Sequence, residues 1–153
     1  MLFTTKYIKM CKEAEELQKR WKPSIGDIVV FANNNVGIIC HIEEKGNFID
    51  YHIVSISRNL YGKTYVQDRG QINCLFTQEQ LQEIVTTNSP TSYKDYELIE
   101  DFYLWFSDSF ERLHFRPATD DWTMNQFWLA YVMYKNYNKV WHDNKEKWVK
   151  REE

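Results

Sequence analysis

The spacing of apolar residues changes along the chain from a helical period to a strand period and then back to a helical one. Pro23 ends the first helical stretch, because a residue that precedes a proline is pushed out of the helical region. The pattern therefore predicts an N-terminal helix over residues 5–22. Its apolar side chains recur at steps of three and four residues and so share one face: Tyr7, Cys11, Ala14, Leu17 and Trp21.

Residues 27–76 have the pattern of a β section. Turn-forming groups at 33–35 and 43–47 separate short apolar runs. Ile49, Tyr51 and Ile53 then occupy every second position, which is the period of a half-buried strand. We expect about five short strands in an antiparallel meander or a small barrel-like sheet, over residues 28–31, 36–42, 48–56, 64–67 and 71–76.

Helical patterns return over residues 77–138. Thr77 with Gln80, and Thr123 with Gln126, are spaced as capping boxes, in which the two side chains satisfy each other's backbone amides. Residues 139–150 favour a small hairpin, with a helical extension as the alternative. A further helix over 96–113 is predicted to have one apolar face that includes Ile99, Phe102, Tyr103, Phe106, Phe110 and Leu113.

These elements predict an α+β fold in a single domain over residues 1–153. A chain of 153 residues is long enough to bury a core of its own. Its hydrophobic fraction of 43% and charged fraction of 27% are those of a folded protein rather than a disordered one. We expect the C-terminal helices to pack on one face of the sheet.

Aromatic residues make up 16% of the chain, and tyrosine and tryptophan are enriched at protein interfaces. The predicted helix over 123–138 is apolar nearly all round, so either it lies at the centre of the core or one of its sides meets a partner. The core is the stronger interpretation, since interiors must be filled first. In the alternative, Trp122, Tyr134 and Tyr137 are the candidate partner-binding residues.

Charge and cysteine content narrow the setting of the protein. The net charge of −3 gives no overall attraction to nucleic acid or to an acidic membrane. Cys11, Cys40 and Cys74 are odd in number and widely spaced, which fits neither a disulfide framework nor a zinc motif. No apolar run approaches the length of a membrane span, and no signal peptide is expected. The sequence thus favours the reducing cytosol of a cell and no membrane partner.

No motif of a common enzyme class is present, so we expect a protein without catalytic activity and without a cofactor. The best catalytic hypothesis joins Asp50 and His52, which share one side of a predicted strand, with Cys40 or His41 on the neighbouring strand. The alternative is that Asp50 and His52 are polar residues of a solvated sheet face. The four histidines are scattered along the sequence, so no metal site is expected.

The segment over residues 57–70 has the composition of a ligand-binding loop. Basic and aromatic side chains alternate in it around a glycine, a mixture that can contact phosphates and stack on bases: Arg58, Tyr61, Lys63, Tyr65 and Arg69. This predicts binding of a nucleic acid or a nucleotide. An ordinary exposed hairpin is the alternative.

Three segments of the chain, residues 14–27, 75–84 and 122–141, resemble a group of uncharacterised small proteins that are encoded in bacteriophages and prophages of Gram-positive bacteria. Residues 28–74 and 86–120 do not clearly follow the pattern, and none of the matching segments is a catalytic motif. The resemblance implies a bacterial cytosol as the setting. It also implies a phage accessory protein that binds a host or phage protein without being an enzyme, and this is the function we expect first. Nucleic-acid or nucleotide binding through residues 57–70 is the second expectation.

Overall fold

The computed structural model of the chain describes residues 3–56, 63–87, 95–111 and 122–152. The chain divides into two compact units, Met1–Leu75 and Phe76–Glu153. Within the described residues, the first contains two α-helices and a five-stranded sheet, and the second contains three α-helices and a two-stranded sheet. The α+β class is therefore confirmed, whereas the prediction of a single domain stays a prediction.

Two short helices, α1 (Thr5–Glu13) and α2 (Glu15–Arg20), stand where the sequence predicts one. The break falls at Ala14, whose φ of −81° and ψ of 65° are not helical. The carbonyl of Cys11 accepts there from the Ala14 N–H at 3.2 Å and from the side-chain amide of Gln18 at 3.0 Å. In an unbroken helix this carbonyl would bind the N–H four residues on, so the two donors stabilise the break instead.

The five strands of the first unit form one antiparallel sheet in the order β4–β3–β2–β1–β5. Strands β1 to β4 follow one another as the meander that the sequence predicts, and β5 returns to pair with β1. The sheet is open in the described part of the chain, with β4 and β5 at its two edges. The strands are β1 (Ile28–Phe31), β2 (Val36–Lys45), β3 (Phe48–Ser55), β4 (Lys63–Val66) and β5 (Ile72–Cys74).

The hairpin between β2 and β3 is longer than the sequence pattern indicates. The sequence pattern predicts a turn over residues 43–47, but β2 continues to Lys45, which pairs with Phe48. The connection is therefore only two residues long, and Gly46 has a φ of 58°. Two-residue hairpins need positive φ in the loop, and glycine supplies it at no steric cost. Glu43 and Lys45 thus lie on a strand.

A bulge at Cys40 decides which side chains of β2 face the core. Ile39 pairs with Ile53 and His41 pairs with His52, so two residues of β2 stand opposite one step of β3. A bulge of this kind reverses the alternation of the strand beyond it. Residues 41, 43 and 45 therefore share a face with His52, away from the side on which Ile39 and Ile53 are fully buried.

The core of the first unit lies between α1, α2 and the inner face of the sheet. All of the predicted apolar positions of the N-terminal helix are buried, which confirms that its face docks on the rest of this unit. The inner face of the sheet contributes Val29, Ile39, Tyr51, Ile53, Val66, Ile72 and Cys74.

The second unit is built around its last helix. It contains α3 (Gln78–Thr87), α4 (Asp95–Glu111) and α5 (Met124–Tyr137), followed by a hairpin of β6 (Lys139–His142) and β7 (Lys147–Lys150). Both capping boxes and the C-terminal hairpin are confirmed. Helix α5 is buried over most of its circumference, so it forms the centre of this unit's core: Gln126, Trp128, Leu129, Ala130, Tyr131, Val132 and Met133.

Candidate functional site

Helix α4 carries apolar residues on two sides, of which one is exposed. The sequence predicts a single apolar face that joins Ile99 and Tyr103 with Phe102, and this prediction is wrong. Phe102 is buried, whereas Ile99 and Tyr103 are turned to solvent. The pattern misled because apolar residues surround this helix nearly completely, so steps of three and four residues connect both sides. We call the exposed set the α4 outer face; its exposed fractions are 63% for Tyr96, 53% for Ile99, 65% for Tyr103 and 55% for Leu104.

The inner side of α4 packs on α5 through aromatic rings. Phe102 stacks on Trp128 with a centroid distance of 4.1 Å and an interplanar angle of 12°. Trp105 lies 5.3 Å from Tyr131, again between ring centroids. Aromatic pairs at these distances contribute free energy beyond the area that they bury. They fix the rotation of α4 about its axis, and this rotation leaves the outer face towards solvent.

The α4 helix is also strongly acidic. It contains six carboxylates and no lysine, arginine or histidine, which gives it a formal charge of −6. The whole chain has a net charge of −3, so the remainder of the chain is positive by three charges (−3 minus −6). Glu100 is exposed as well, and the helical period places it on the same side of α4 as Tyr103 and Leu104. The outer face therefore combines exposed apolar side chains with an exposed carboxylate.

The three predicted partner-binding residues are less exposed to solvent than the residues of the α4 outer face. Trp122 is buried, with its ring 5.3 Å from that of Phe127. Tyr134 is half-buried, and the guanidinium of Arg151 lies 4.8 Å above its ring. Tyr137 is half-buried as well. The core interpretation of these aromatic residues therefore applies to Trp122, and their role in partner binding stays a prediction.

A second polar cluster stands on the face of β2 and β3 away from the core. Glu43 pairs with Asp50, and His52 follows two positions along β3 on the same face. The Nε2 of His52 lies 3.5 Å from Glu43 Oε2. The ammonium of Lys45 lies 3.1 Å from Asp50 Oδ2 and 3.7 Å from Glu43 Oε2. The hydrogen bond to Asp50, followed by the charge of Glu43, raises the pKa of Lys45.

Asp50 is buried on this face, which differs from the solvated face that the sequence suggests. Only 5% of the residue is exposed. Its Oδ2 is held by Lys45, whereas Oδ1 is buried and has no hydrogen-bond partner among the residues that the structure describes. A buried carboxylate oxygen without a donor carries a desolvation cost, which distinguishes Asp50 from an ordinary surface acid.

The geometry does not provide an activated nucleophile for the catalytic hypothesis, which joins Asp50 and His52 with Cys40. The Cys40 thiol donates to the backbone carbonyl of His52 at 3.2 Å. A carbonyl oxygen cannot take up the thiol proton, so this contact does not activate the sulfur. His41 lies edge-on to His52, with 5.0 Å between the ring centroids. The expected absence of enzymatic activity stays a prediction.

The predicted ligand-binding segment is described only in part. Arg58 and Tyr61 lie outside the described residues. Lys63 and Tyr65 belong to the edge strand β4, where they pair with Val54 and His52, and their side chains are likewise outside the description. Arg69 donates to the Gln18 carbonyl and lies 5.4 Å from the Trp21 ring. Arg69 is therefore engaged inside the first unit, and nucleotide binding by this segment stays a prediction.

No protein-family model, curated protein or solved structure matches this chain. Over the described residues, helices that combine sufficient length and apolar character to span a bilayer are absent.

Proposed function

We propose that this protein is a non-enzymatic binding protein whose α4 outer face holds a partner protein. The observation that supports it is the exposure of Ile99, Tyr103 and Leu104, each more than half accessible, on a helix whose opposite side already fills the core. A surface helix of a folded domain normally has a polar outer side. Neighbouring exposed apolar residues with a polar border are typical of a protein-binding surface.

The charge of α4 defines the chemistry of the partner. Six carboxylates without a basic residue favour a partner whose apolar contact surface is bordered by lysine or arginine. The same charge repels phosphate groups, so this surface is unsuited to DNA or RNA. Association is expected to be faster at low salt and to persist at high salt, because salt screens the charged border but not the apolar contact.

The cellular setting of the proposal is the bacterial cytosol, with a host or phage protein as the partner. This part is supported by the resemblance of residues 14–27, 75–84 and 122–141 to bacteriophage and prophage proteins of Gram-positive bacteria. The three free cysteines are compatible with a reducing compartment.

The test is capture of a partner from a nuclease-treated lysate of a Gram-positive host by three forms of the chain. The first is the unchanged protein, and the second is Ile99→Glu, which places a charge within the α4 outer face. The matched control is Met124→Glu, since Met124 is 52% exposed and lies at the start of α5 rather than on α4. A stoichiometric protein that the unchanged chain and Met124→Glu retain, and that Ile99→Glu loses, supports the proposal. A partner retained equally by all three forms, or one that nuclease removes, contradicts it.

A further inference from the structure

The carboxylates of Glu43 and Asp50 and the imidazole of His52 bring three ligand atoms of metal-binding type within 4.8 Å of one another. All three belong to adjacent strands, with Glu43 directly opposite Asp50 in the register. Sites on strands are held more rigidly than sites on loops. We propose that this trio binds a divalent transition-metal ion of the Zn²⁺ type.

The state of Asp50 indicates a cation rather than a purely structural ion pair. With 5% exposure, its carboxylate is nearly removed from water, and Oδ1 is without a hydrogen-bond partner over the described residues. Buried charges in proteins are paired or coordinate metals. Lys45 satisfies only one of the two oxygens, through Oδ2. A metal ion at this position compensates the whole carboxylate.

The distances suit a small ion with few protein ligands. In a tetrahedral zinc site with bonds of about 2.1 Å, neighbouring ligand atoms lie about 3.4 Å apart. Glu43 Oε2 and His52 Nε2 are 3.5 Å apart, so these two need no rearrangement. Asp50 closes the remaining gap by a small side-chain rotation, since all three ligand atoms lie within 4.8 Å. Three protein ligands leave one position for water or for another ligand.

The ligand types select among ions. Carboxylates bind both hard and borderline cations, whereas an imidazole nitrogen suits zinc and its neighbours and is rare around Mg²⁺ and Ca²⁺. The trio therefore favours Zn²⁺ over Mg²⁺. The scattered histidines in the sequence gave no indication of this site, because only one of them belongs to it and its partners are carboxylates.

Lys45 competes with the metal ion for the carboxylates of Glu43 and Asp50. Its ammonium already contacts both carboxylates, and its side chain is 50% exposed. The lysine can therefore swing into solvent when an ion binds. Removal of the Lys45 charge is therefore expected to strengthen metal binding. If Lys45 and the carboxylates formed only an ordinary surface ion pair, there would be no reason to expect this effect.

The experiment is calorimetric titration of the untagged protein with Zn²⁺, and separately with Mg²⁺, in a buffer that does not bind metals. All forms carry Cys40→Ser, because the exposed thiol is itself a zinc ligand. We expect one Zn²⁺ per chain and a raised unfolding temperature in its presence. Asp50→Asn and His52→Gln are expected to weaken binding by about tenfold or more. Lys45→Gln is expected to strengthen it roughly twofold to tenfold.

The control is His41→Gln, whose ring lies edge-on to His52 but does not belong to the trio. It is expected to leave zinc affinity unchanged. Absence of zinc binding, or equal affinity in the unchanged protein, Asp50→Asn and His52→Gln, would overturn the proposal. Glu43→Gln, at a half-exposed position, replaces Asp50→Asn if circular dichroism shows that the buried substitution prevents folding.

Discussion

Phe102 lies flat on Trp128, with the two rings 4.1 Å apart between centroids and inclined by 12°. Tyr131 meets the same Phe102 ring edge-on at 5.5 Å. This three-ring contact joins the middle of α4 to the middle of α5 and determines which side of α4 is turned outward. The exposure of Ile99 and Tyr103 on the outer face is therefore a consequence of the packing of Phe102.

Substitution of Phe102 by alanine is expected to destabilise the second unit strongly. The change removes a buried ring and leaves a cavity beside Trp128, which costs about 3–5 kcal/mol of unfolding free energy. Its neighbour Tyr103 is 65% exposed, so Tyr103→Ala is expected to change stability by only about 0.5 kcal/mol. Urea unfolding of both variants, followed by tryptophan fluorescence, measures the difference. Equal costs for the two substitutions would mean that α4 is rotated differently from the arrangement described.

The side chain of Gln18 is expected to be essential for the edge of the first sheet. Its amide donates to the Cys11 carbonyl at 3.0 Å and to the Cys74 carbonyl at 2.9 Å, and its oxygen accepts from the Cys74 N–H at 2.9 Å. Gln18→Leu leaves these backbone groups without their partner, at a cost of about 2–4 kcal/mol. The exposed Lys19 on the same helix provides the control, as Lys19→Ala. Denaturant unfolding of the two variants is the measurement, and a neutral Gln18→Leu would contradict the role of this amide.

The reactivity of the cysteines gives a simple check of burial in the first unit. Cys40 is exposed, whereas Cys11 and Cys74 are buried with no accessible area. A thiol reagent is therefore expected to modify Cys40 alone in the native protein and all three cysteines after denaturation. Cys40→Ser is expected to abolish the native reaction without changing the denatured reaction of the other two. Rapid native modification of Cys74, detected by mass spectrometry of peptides, would contradict its burial in the structure.

Alkaline pH is expected to destabilise the first unit through its buried acids. Burial, and after it the charges of Asp27 and Cys11, raises the pKa of the Cys74 thiol. Burial likewise raises the pKa of Tyr7 well above its ordinary value. Above about pH 8.5 the unfolded chain loses the Cys74 proton while the folded chain keeps it, so the unfolding free energy falls as pH rises.

The Cys74→Ala variant isolates the contribution of Cys74 to the loss of stability at alkaline pH. For an unfolded thiol pKa of about 8.5, the loss at pH 10.5 is about 2.7 kcal/mol relative to neutral pH. Cys74→Ala lacks the titrating group, so it is expected to lose that much less stability between pH 7 and pH 10.5. Urea unfolding at the two pH values gives both differences. Parallel loss in the unchanged protein and the variant would show that Cys74 is not a buried neutral thiol.

Local signals in the sequence were sufficient for much of the fold. Thr123 and Gln126 define the start of α5, because a capping box depends only on residues that are three positions apart. The number of strands and the meander of β1 to β4 followed similarly from apolar runs separated by turn residues, whereas the pairing of β5 with β1 has no local signal. The helix of residues 5–22 was predicted as one element, because the break at Ala14 depends on Gln18 and its contacts with distant Cys74.

The polar cluster on the sheet could not be found from strand alternation alone. The bulge at Cys40 reverses the alternation of β2, which brings Glu43 to the face of Asp50 and His52. The sequence pattern predicts a turn at Glu43, so it gives no indication that Glu43 shares a face with His52. A bulge depends on pairing with the neighbouring strand rather than on a local residue signal. The sequence does not indicate which side of α4 is exposed for a related reason, since only the contact with Trp128 shows which apolar residues of α4 are buried.

Binding of a partner protein to the α4 outer face is measured by the affinity of the captured partner for variants of this face. Isothermal titration calorimetry compares the unchanged chain with Ile99→Glu, Tyr103→Ala and the control Met124→Glu, each first shown to be folded. We expect affinity weaker by about thirtyfold or more for Ile99→Glu, a smaller loss for Tyr103→Ala and no change for Met124→Glu. Equal affinity of the unchanged chain and Ile99→Glu would contradict it.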